Sequence, residues 1–261
     1  MSNILDTLAN CSRERVKLYR QKISLDEIKY QALNQVKGAF EFEKALKRDG
    51  LSFICECKKA SPSKGLISPD FPYLNIARDY ELAGADAISV LTESKYFLGR
   101  DDYLSDIASL VKVPVLRKDF IVDEYMIYQA KTLGACAVLL ICAILEPDTM
   151  KHYISICDSL GMSALVEAHD EREIKQAVNS GARIIGVNNR NLKDFSVDTN
   201  NSSRLRELVP DNIIFISESG VNSPEDVKAI HDMGADGVLI GEALMRSDDK
   251  RARLMELKSL L

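Results

Sequence analysis

The stretch "LAGADAISVLTE" (Leu82–Glu93) reads as a helix end, a glycine and then a short apolar strand. Glycine just past a helix fits the left-handed backbone conformation that commonly closes one. The same pattern recurs in "TLGACAVLLICA" (Thr132–Ala143), "NSGARIIGVNNR" (Asn179–Arg190) and "DMGADGVLIGEA" (Asp232–Ala243). The shared glycines, Gly84, Gly134, Gly181 and Gly234, fall about fifty residues apart, the mark of a repeated supersecondary unit. Between them lies a second set of apolar segments: "LSFICECK" (51–58), "VPVLRKDF" (113–120), "MSALVEAH" (162–169) and "NIIFISES" (212–219). Interleaving the two sets predicts eight strands. Helical patterns such as "PYLNIARDYELA", "DEYMIYQAKTL", "DEREIKQAVNS" and "SPEDVKAIHDM" separate them.

Strands alternating with helices imply right-handed crossovers and a parallel sheet. Eight such units close into an α/β (β/α)8 barrel, the TIM-barrel architecture, and 261 residues suit that fold, which typically takes about 250. A doubly wound open sheet is the alternative, but no Gly-x-Gly-x-x-Gly follows the first strand. Residues 1–50 hold two or three more helices, an N-terminal helical extension expected to cover the barrel's bottom or edge its top. The whole chain, 1–261, is expected to form a single domain.

Composition narrows the function classes. Apolar residues make up 46% of the chain and charged residues 28%, the balance of a globular protein with a sizeable core. The longest apolar run, "ACAVLLICAIL" (135–145), is too short to span a bilayer and reads as a buried strand. A net charge of −5 offers no general attraction to nucleic acid or an anionic membrane, so any anion site must be local. The first twenty-two residues, with Asp6 and Glu14, read as an amphipathic helix rather than an export signal. Six scattered cysteines without a CxxC motif point to reduced thiols, no metal site and a cytoplasmic location.

Barrel strands are buried on both faces and should be apolar throughout. These are apolar until their C-terminal ends. Strand 1 ends in Glu56 and Lys58, strand 3 in Arg117 and Lys118, strand 5 in Glu167, strand 6 in Asn188 and Asn189, and strand 7 in Glu218 and Ser219. Side chains alternate along a strand, so Ile54, Glu56 and Lys58 share one face, leaving Phe53, Cys55 and Cys57 to pack against helices. Leu165 pairs with Glu167, and Ile216 with Glu218, by the same rule. Barrel enzymes keep their chemistry at this rim. After strands 7 and 8, where this fold recurrently cradles phosphate, "SESG" and "IGEA" place Gly220 and Gly241, with backbone donors from Ser219, Glu242 and Ala243. A phosphorylated small-molecule substrate is the expectation.

The segments "ECKKASPSKG", "LTESKYFLG", "VLRKDFIVDEYMIYQA", "LVEAHDERE", "IGVNNRNLKDFSVD", "SESGVNSPED" and "LIGEALMR" together resemble the indole-3-glycerol phosphate synthase family of tryptophan biosynthesis. The resemblance runs in order from about residue 45 to 246, and that family also carries an N-terminal helical extension. It implies a carbon–carbon lyase without a cofactor. The reaction closes the ring of 1-(2-carboxyphenylamino)-1-deoxyribulose 5-phosphate, giving indole-3-glycerol phosphate, carbon dioxide and water. Carried over by residue, Lys118 becomes the general acid on the ketone and Glu167 the acid–base group of the dehydration. Lys58 holds the substrate carboxylate or donates a proton, while Glu56 and Glu218 orient the lysines and stabilise developing positive charge. Asn188 bonds a substrate hydroxyl, Arg190 supports the rim, and Ser61, Gly220, Gly241 and Glu242 ring the phosphate beside Ser219. Phe97, Phe120 and Leu139 grip the anthranilate ring. A monomer is the expectation, with association with other tryptophan-pathway enzymes left open.

Other residues carry plainer readings. Crowded lysines depress one another's pKa and interleaved carboxylates raise it, so Lys58, Lys118, Glu56, Glu167 and Glu218 can divide the proton-transfer roles. His152, His169 and His231 read as helix- or loop-surface residues, and Lys59 and Lys64 as solvated flanks or groups that steer an anion electrostatically. Asp194 and Asp198 read as caps or turn formers after strand 6. Two further classes stay open: a barrel aldolase using Lys118 as a Schiff-base nucleophile, and a silent phosphate-binding subunit.

Overall fold

The computed structural model describes residues 4–191 and 195–261. Eight parallel strands form one closed barrel: β1 (Ser52–Cys57), β2 (Ala87–Leu91), β3 (Val115–Lys118), β4 (Ala137–Ile141), β5 (Ser163–Ala168), β6 (Ile184–Asn188), β7 (Ile214–Glu218) and β8 (Gly237–Ile240). Each pairs with its sequence neighbour, and β1 closes the ring by pairing Ser52 with Gly237 on one side and Ile54 with Ala87 on the other. The expected (β/α)8 barrel is therefore the observed one. A two-residue hairpin, Ala60–Ser61 against Gly65–Leu66, stands after β1.

Strand alternation sorts the interior. Ile54, Ala87, Leu116, Leu139, Leu165, Ile184, Ile216 and Leu239 form a cluster inside the barrel. Their neighbours Phe53, Cys55, Cys57, Ile88, Val115 and Val138 belong to the larger core between strands and helices. Burial pushes the Cys55 thiol up to about 12 and that of Cys57 well above its ordinary range, so both are inert packing groups.

The N-terminal extension is three helices, α1 (Ile4–Lys22), α2 (Leu25–Leu33) and α3 (Glu41–Leu46), and it does both jobs that were expected of it. Helix α3 closes the bottom: Phe42 and Leu46 pack on the interior cluster, and the Glu43 amide donates to Ser163 Oγ at the start of β5. Helix α1 edges the mouth, where Leu5 and Leu8 join the interior cluster from above. Its Arg15 holds Asp119, just past β3, at 2.6 Å and donates to the Thr92 carbonyl at 2.7 Å. Asp119 is fully buried and also accepts from Thr92 Oγ1 and the Phe120 amide. This network fixes the end of β3 and thus the Lys118 that precedes it.

Two barrel helices matter for the mouth. Helix α4 (Glu171–Asn179) begins at Asp170, whose side chain caps it by accepting from the Glu173 amide. Helix α5 (Glu242–Met245) is a single turn directly after β8. No described helix is long and apolar enough to cross a membrane.

Candidate active site

Five charged side chains from four strands meet at the C-terminal mouth. Lys118 Nζ lies 2.9 Å from Glu218 Oε2 and 3.4 Å from Glu167 Oε2. Lys58 Nζ lies 2.7 Å from Glu56 Oε1. All three carboxylates are buried, so their ionisation depends on these partners. Burial alone would lower Lys118, but the charges of Glu218, Glu167 and Glu56 outweigh it and push its pKa up. Burial opposes the charge of Glu167 too, yet Lys118, His169 and a hydrogen bond from Asn188 hold it below the usual carboxylate range. Glu56 is lowered likewise, burial being overcome by Lys58 and Lys118. Glu218 goes the other way. Burial raises it, Lys118 only partly offsets that, and Glu167 and Glu56 add to it, so it sits at about 7. At Lys118 the surrounding carboxylates thus override the crowding of lysines that would have lowered its ammonium.

Two glycines make room for this cluster. A methyl group on Gly186, in β6, would overlap Glu218 Oε1 and lie 3.2 Å from Leu165 Cδ1. One on Gly241 would overlap Glu56 Oε1 and lie 2.9 Å from Lys58 Nζ. Between β7 and its following loop, Ser219 adopts a left-handed φ of 68°, uncommon for a residue with a Cβ. Its Oγ donates to Asn188 Oδ1 at 2.9 Å, which also accepts from the Arg190 amide at 3.0 Å.

The cluster floors two adjoining cavities. One, of about 110 Å³, is walled by Phe97, Phe120 and Leu139, with Lys58, Lys118, Glu167 and Asn188 at its polar side. The rings of Phe97 and Phe120 are tilted with centroids 6.0 Å apart. The other, of about 360 Å³, is polar, and Lys64, Arg190, Gly220 and Gly241 line it. Lys58, Arg190, Ser219 and Glu242 border both. An apolar slot beside a polar, glycine-walled cradle, with an acid–base cluster at the junction, suits a molecule with an aromatic end and an anionic end.

A family model described as indole-3-glycerol phosphate synthase matches residues 5–257. The chain belongs to this family. It is 57% identical to the indole-3-glycerol phosphate synthase of Ruminiclostridium cellulolyticum over 98% of both chains. Identity is 52% to that of Endomicrobium trichonymphae (98% of this chain, 99% of the relative) and 47% to that of Lachnoclostridium phytofermentans (99% and 100%). Two solved structures of low identity share the barrel fold. A thiamine phosphate pyrophosphorylase from Pyrococcus furiosus superposes with a TM-score of 0.62 at 15% identity, covering 84% of this chain and 96% of that one. An N-acetylmannosamine-6-phosphate 2-epimerase from Clostridium perfringens gives 0.61 at 18% identity, covering 76% and 89%.

Against this indole-3-glycerol phosphate synthase frame, every residue assigned a site role in the sequence lines one or both cavities, apart from Ala243, which borders neither, and Glu218, which is buried beneath them against Lys118. Some details differ. Ser61 borders only the apolar cavity, near Ser63 Oγ at 3.4 Å, whereas Ser63 borders both and Lys64 lines the polar one. Lys64 is therefore more than a solvated flank: its Nζ is 3.6 Å from Glu242, a carboxylate that Arg190 also approaches at 3.8 Å. Gly241 has an ordinary negative φ of −121°, so closeness to Glu56 and Lys58, not a left-handed turn, is what calls for glycine there.

Two of the rim residues turn away from the mouth. Arg117, next to Lys118, faces outward and is fully buried, bonding Thr92, Gln129, the Met126 carbonyl and Asp101. Asn189 is buried between Ser217 and Ser202. Both are frame residues, as strand alternation requires of immediate neighbours of inward-facing groups. His169 departs most from its surface reading, because its ring packs beside Glu167 and Glu173. His152 and His231 are surface residues as expected, and Asp194 lies outside the described residues.

Proposed function

We propose that this mouth closes the indole ring of 1-(2-carboxyphenylamino)-1-deoxyribulose 5-phosphate, with Lys118 as the central acid. The observation carrying this reading is the position of Lys118 Nζ, between two buried carboxylates and in the wall of the aromatic slot, with Lys58 bordering both that slot and the polar cradle. The anthranilate ring enters the slot formed by Phe97, Phe120 and Leu139. The phosphate enters the cradle formed by Gly220, Gly241 and the Glu242 backbone, with Arg190 at its edge and Ser61 reaching it from the side of the slot. That placement brings the ketone to Lys118.

The ring carbon bearing the carboxylate attacks the ketone carbon, and Lys118 protonates the oxygen that would otherwise become an alkoxide. Loss of carbon dioxide restores the aromatic ring. With the carboxylate gone, Lys58 gives a proton to the new hydroxyl, which leaves as water, while Glu167, held ionised, takes the proton from the adjacent ring carbon as the indole double bond forms. Lys58 secures the substrate carboxylate and Asn188 a substrate hydroxyl. Glu56 and Glu218 stabilise the iminium-like cation that develops between these steps. The protein is proposed to work as a single-domain monomer in the cytoplasm.

A Schiff-base mechanism needs a neutral amine, and three carboxylates favour the charged form of Lys118 instead. The test supplies the purified protein with this substrate and follows indole fluorescence. Lys118→Ala should lower kcat by about 10²–10⁴-fold, the usual contribution of a positioned acid. Turnover by Lys118→Ala equal to wild type, or borohydride trapping of substrate on Lys118, overturns the reading.

A further inference from the structure

Glu167 carries the dehydration step in the reading above, and its two oxygens face different cations. Oε2 lies 3.4 Å from Lys118 Nζ, while Oε1 lies 3.6 Å from His169 Nε2. That imidazole nitrogen is buried and has no hydrogen-bond partner. Its other side is fixed: Glu173 Oε2 accepts from the His169 amide at 2.8 Å and lies 3.3 Å from Nδ1. Glu173 is itself buried and set in the first turn of α4 by the Asp170 cap. The His169 carbonyl is tied down as well, accepting from Asn201 Nδ2 at 3.2 Å.

We propose that His169, clamped by Glu173, is a positioning residue that turns the Glu167 carboxylate toward Lys118. A ring flanked by a carboxylate at each nitrogen is best served when both nitrogens carry protons. Burial disfavours that charge, but Glu173, Glu167 and Glu218 overcome it and raise the His169 pKa. Asp170, Arg172, Arg190 and Asp198 line the cavity on its open side, two acids against two bases. The imidazolium then neutralises one oxygen of Glu167, keeps the group ionised and leaves Oε2 for Lys118. His169 borders neither cavity assigned to the substrate, so its effect should fall on turnover rather than binding.

This inference rests on the proposed role of Glu167, and the experiment separates the two. Steady-state kinetics are run across pH on wild type, His169→Gln, Glu173→Gln and Glu167→Gln. With the cation gone, Glu167 titrates at higher pH. His169→Gln should therefore move the acidic limb of kcat up by about one pH unit and lower kcat about tenfold near that limb, with KM within about twofold. Glu173→Gln should shift the limb in the same direction by less. In NMR, the chain's three histidines give three ring signals, and the one lost in His169→Gln should titrate above the ordinary histidine range in wild type. A limb unmoved in His169→Gln, or a fall in kcat that merely tracks a fall in Tm, overturns the inference. Wild-type turnover by Glu167→Gln overturns the Glu167 reading itself.

Discussion

Gly186→Ala tests whether empty space, rather than a bond, aims Glu218. Glu218 Oε2 bonds Lys118, but its buried Oε1 has no hydrogen-bond partner. That oxygen occupies the place a β-carbon on Gly186 would take, with Leu165 Cδ1 on the other side at 3.2 Å. Gly186 is not in a left-handed conformation, so alanine suits the backbone and only the methyl matters. Overpacking by one methyl typically costs about 1–3 kcal/mol. The nearest atom is the end of a side chain, so the carboxylate yields before the barrel does, and its 2.9 Å bond to Lys118 stretches or breaks. A hydrogen bond to a charged group is worth about 1.5–3 kcal/mol, and each 1.36 kcal/mol of barrier is tenfold in rate. The expected result is therefore a kcat lower by roughly 10–100-fold in the fluorescence assay. Tm should fall by about 2–12 °C, at 2–4 °C per kcal/mol. A variant with wild-type kcat would refute the reasoning, because Glu218 would then be either irrelevant to turnover or held by something other than the space at Gly186.

Arg15→Ala removes the link between α1 and the end of β3 and leaves Asp119 buried with only Arg117 and Thr92 as side-chain partners. Breaking such a pair costs about 3 kcal/mol, so thermal unfolding should begin roughly 6–12 °C lower; an unchanged Tm would mean that α1 does not brace the mouth. Phe97→Ala opens the aromatic slot while touching none of the charged groups. It should raise KM about tenfold with kcat nearly kept, since roughly 1.5 kcal/mol of ring burial is lost from ground and transition states alike; a fall in kcat at constant KM would place the ring elsewhere.

The fold was legible because one pattern repeats. Gly84, Gly134, Gly181 and Gly234 all have left-handed φ values in the structure and each precedes a barrel strand, so recognising one recognises four. Strand alternation carried the site equally far, placing Glu56, Glu167 and Glu218 inside and the two cysteines of β1 outside. It was not carried far enough at Arg117 and Asn189, whose immediate neighbours Lys118 and Asn188 already claim the inward face. His169 was within reach of the same rule, since it lies two residues past Glu167 and so on its side of the chain. What hid it was Glu173: a capped helix start four residues on folds back over the ring and turns an apparent loop histidine into a half-buried one. Gly186 gave a weaker signal, a glycine inside a strand, which says that something approaches closely but not what. Its partner comes from the next strand, thirty-two residues later, and only the β6–β7 register, with Asn188 opposite Glu218, brings them together.

The arithmetic of the mouth explains why one carboxyl differs from the other two. Glu56 has Lys58 to itself at 2.7 Å, and Glu167 is flanked by Lys118 and His169. Glu218 must share Lys118 with Glu167 and has no second cation in contact among the described residues. Four buried acids, counting Glu173, against two lysines and His169 leave one negative charge in excess, and low dielectric makes that excess costly. The proton that relieves it goes to the acid with the poorest compensation, which is why Glu218 rises to about 7 while its neighbours fall. Lys118, by contrast, is so well stabilised as a cation that it parts with a proton reluctantly. An acid that holds its proton near neutral pH, 2.9 Å from that ammonium, is what such a donor needs. As Lys118 gives its proton to the ketone, Glu218 can return one, so that no neutral lysine is left among carboxylates. Under this reading, the group that orients Lys118 also recharges it.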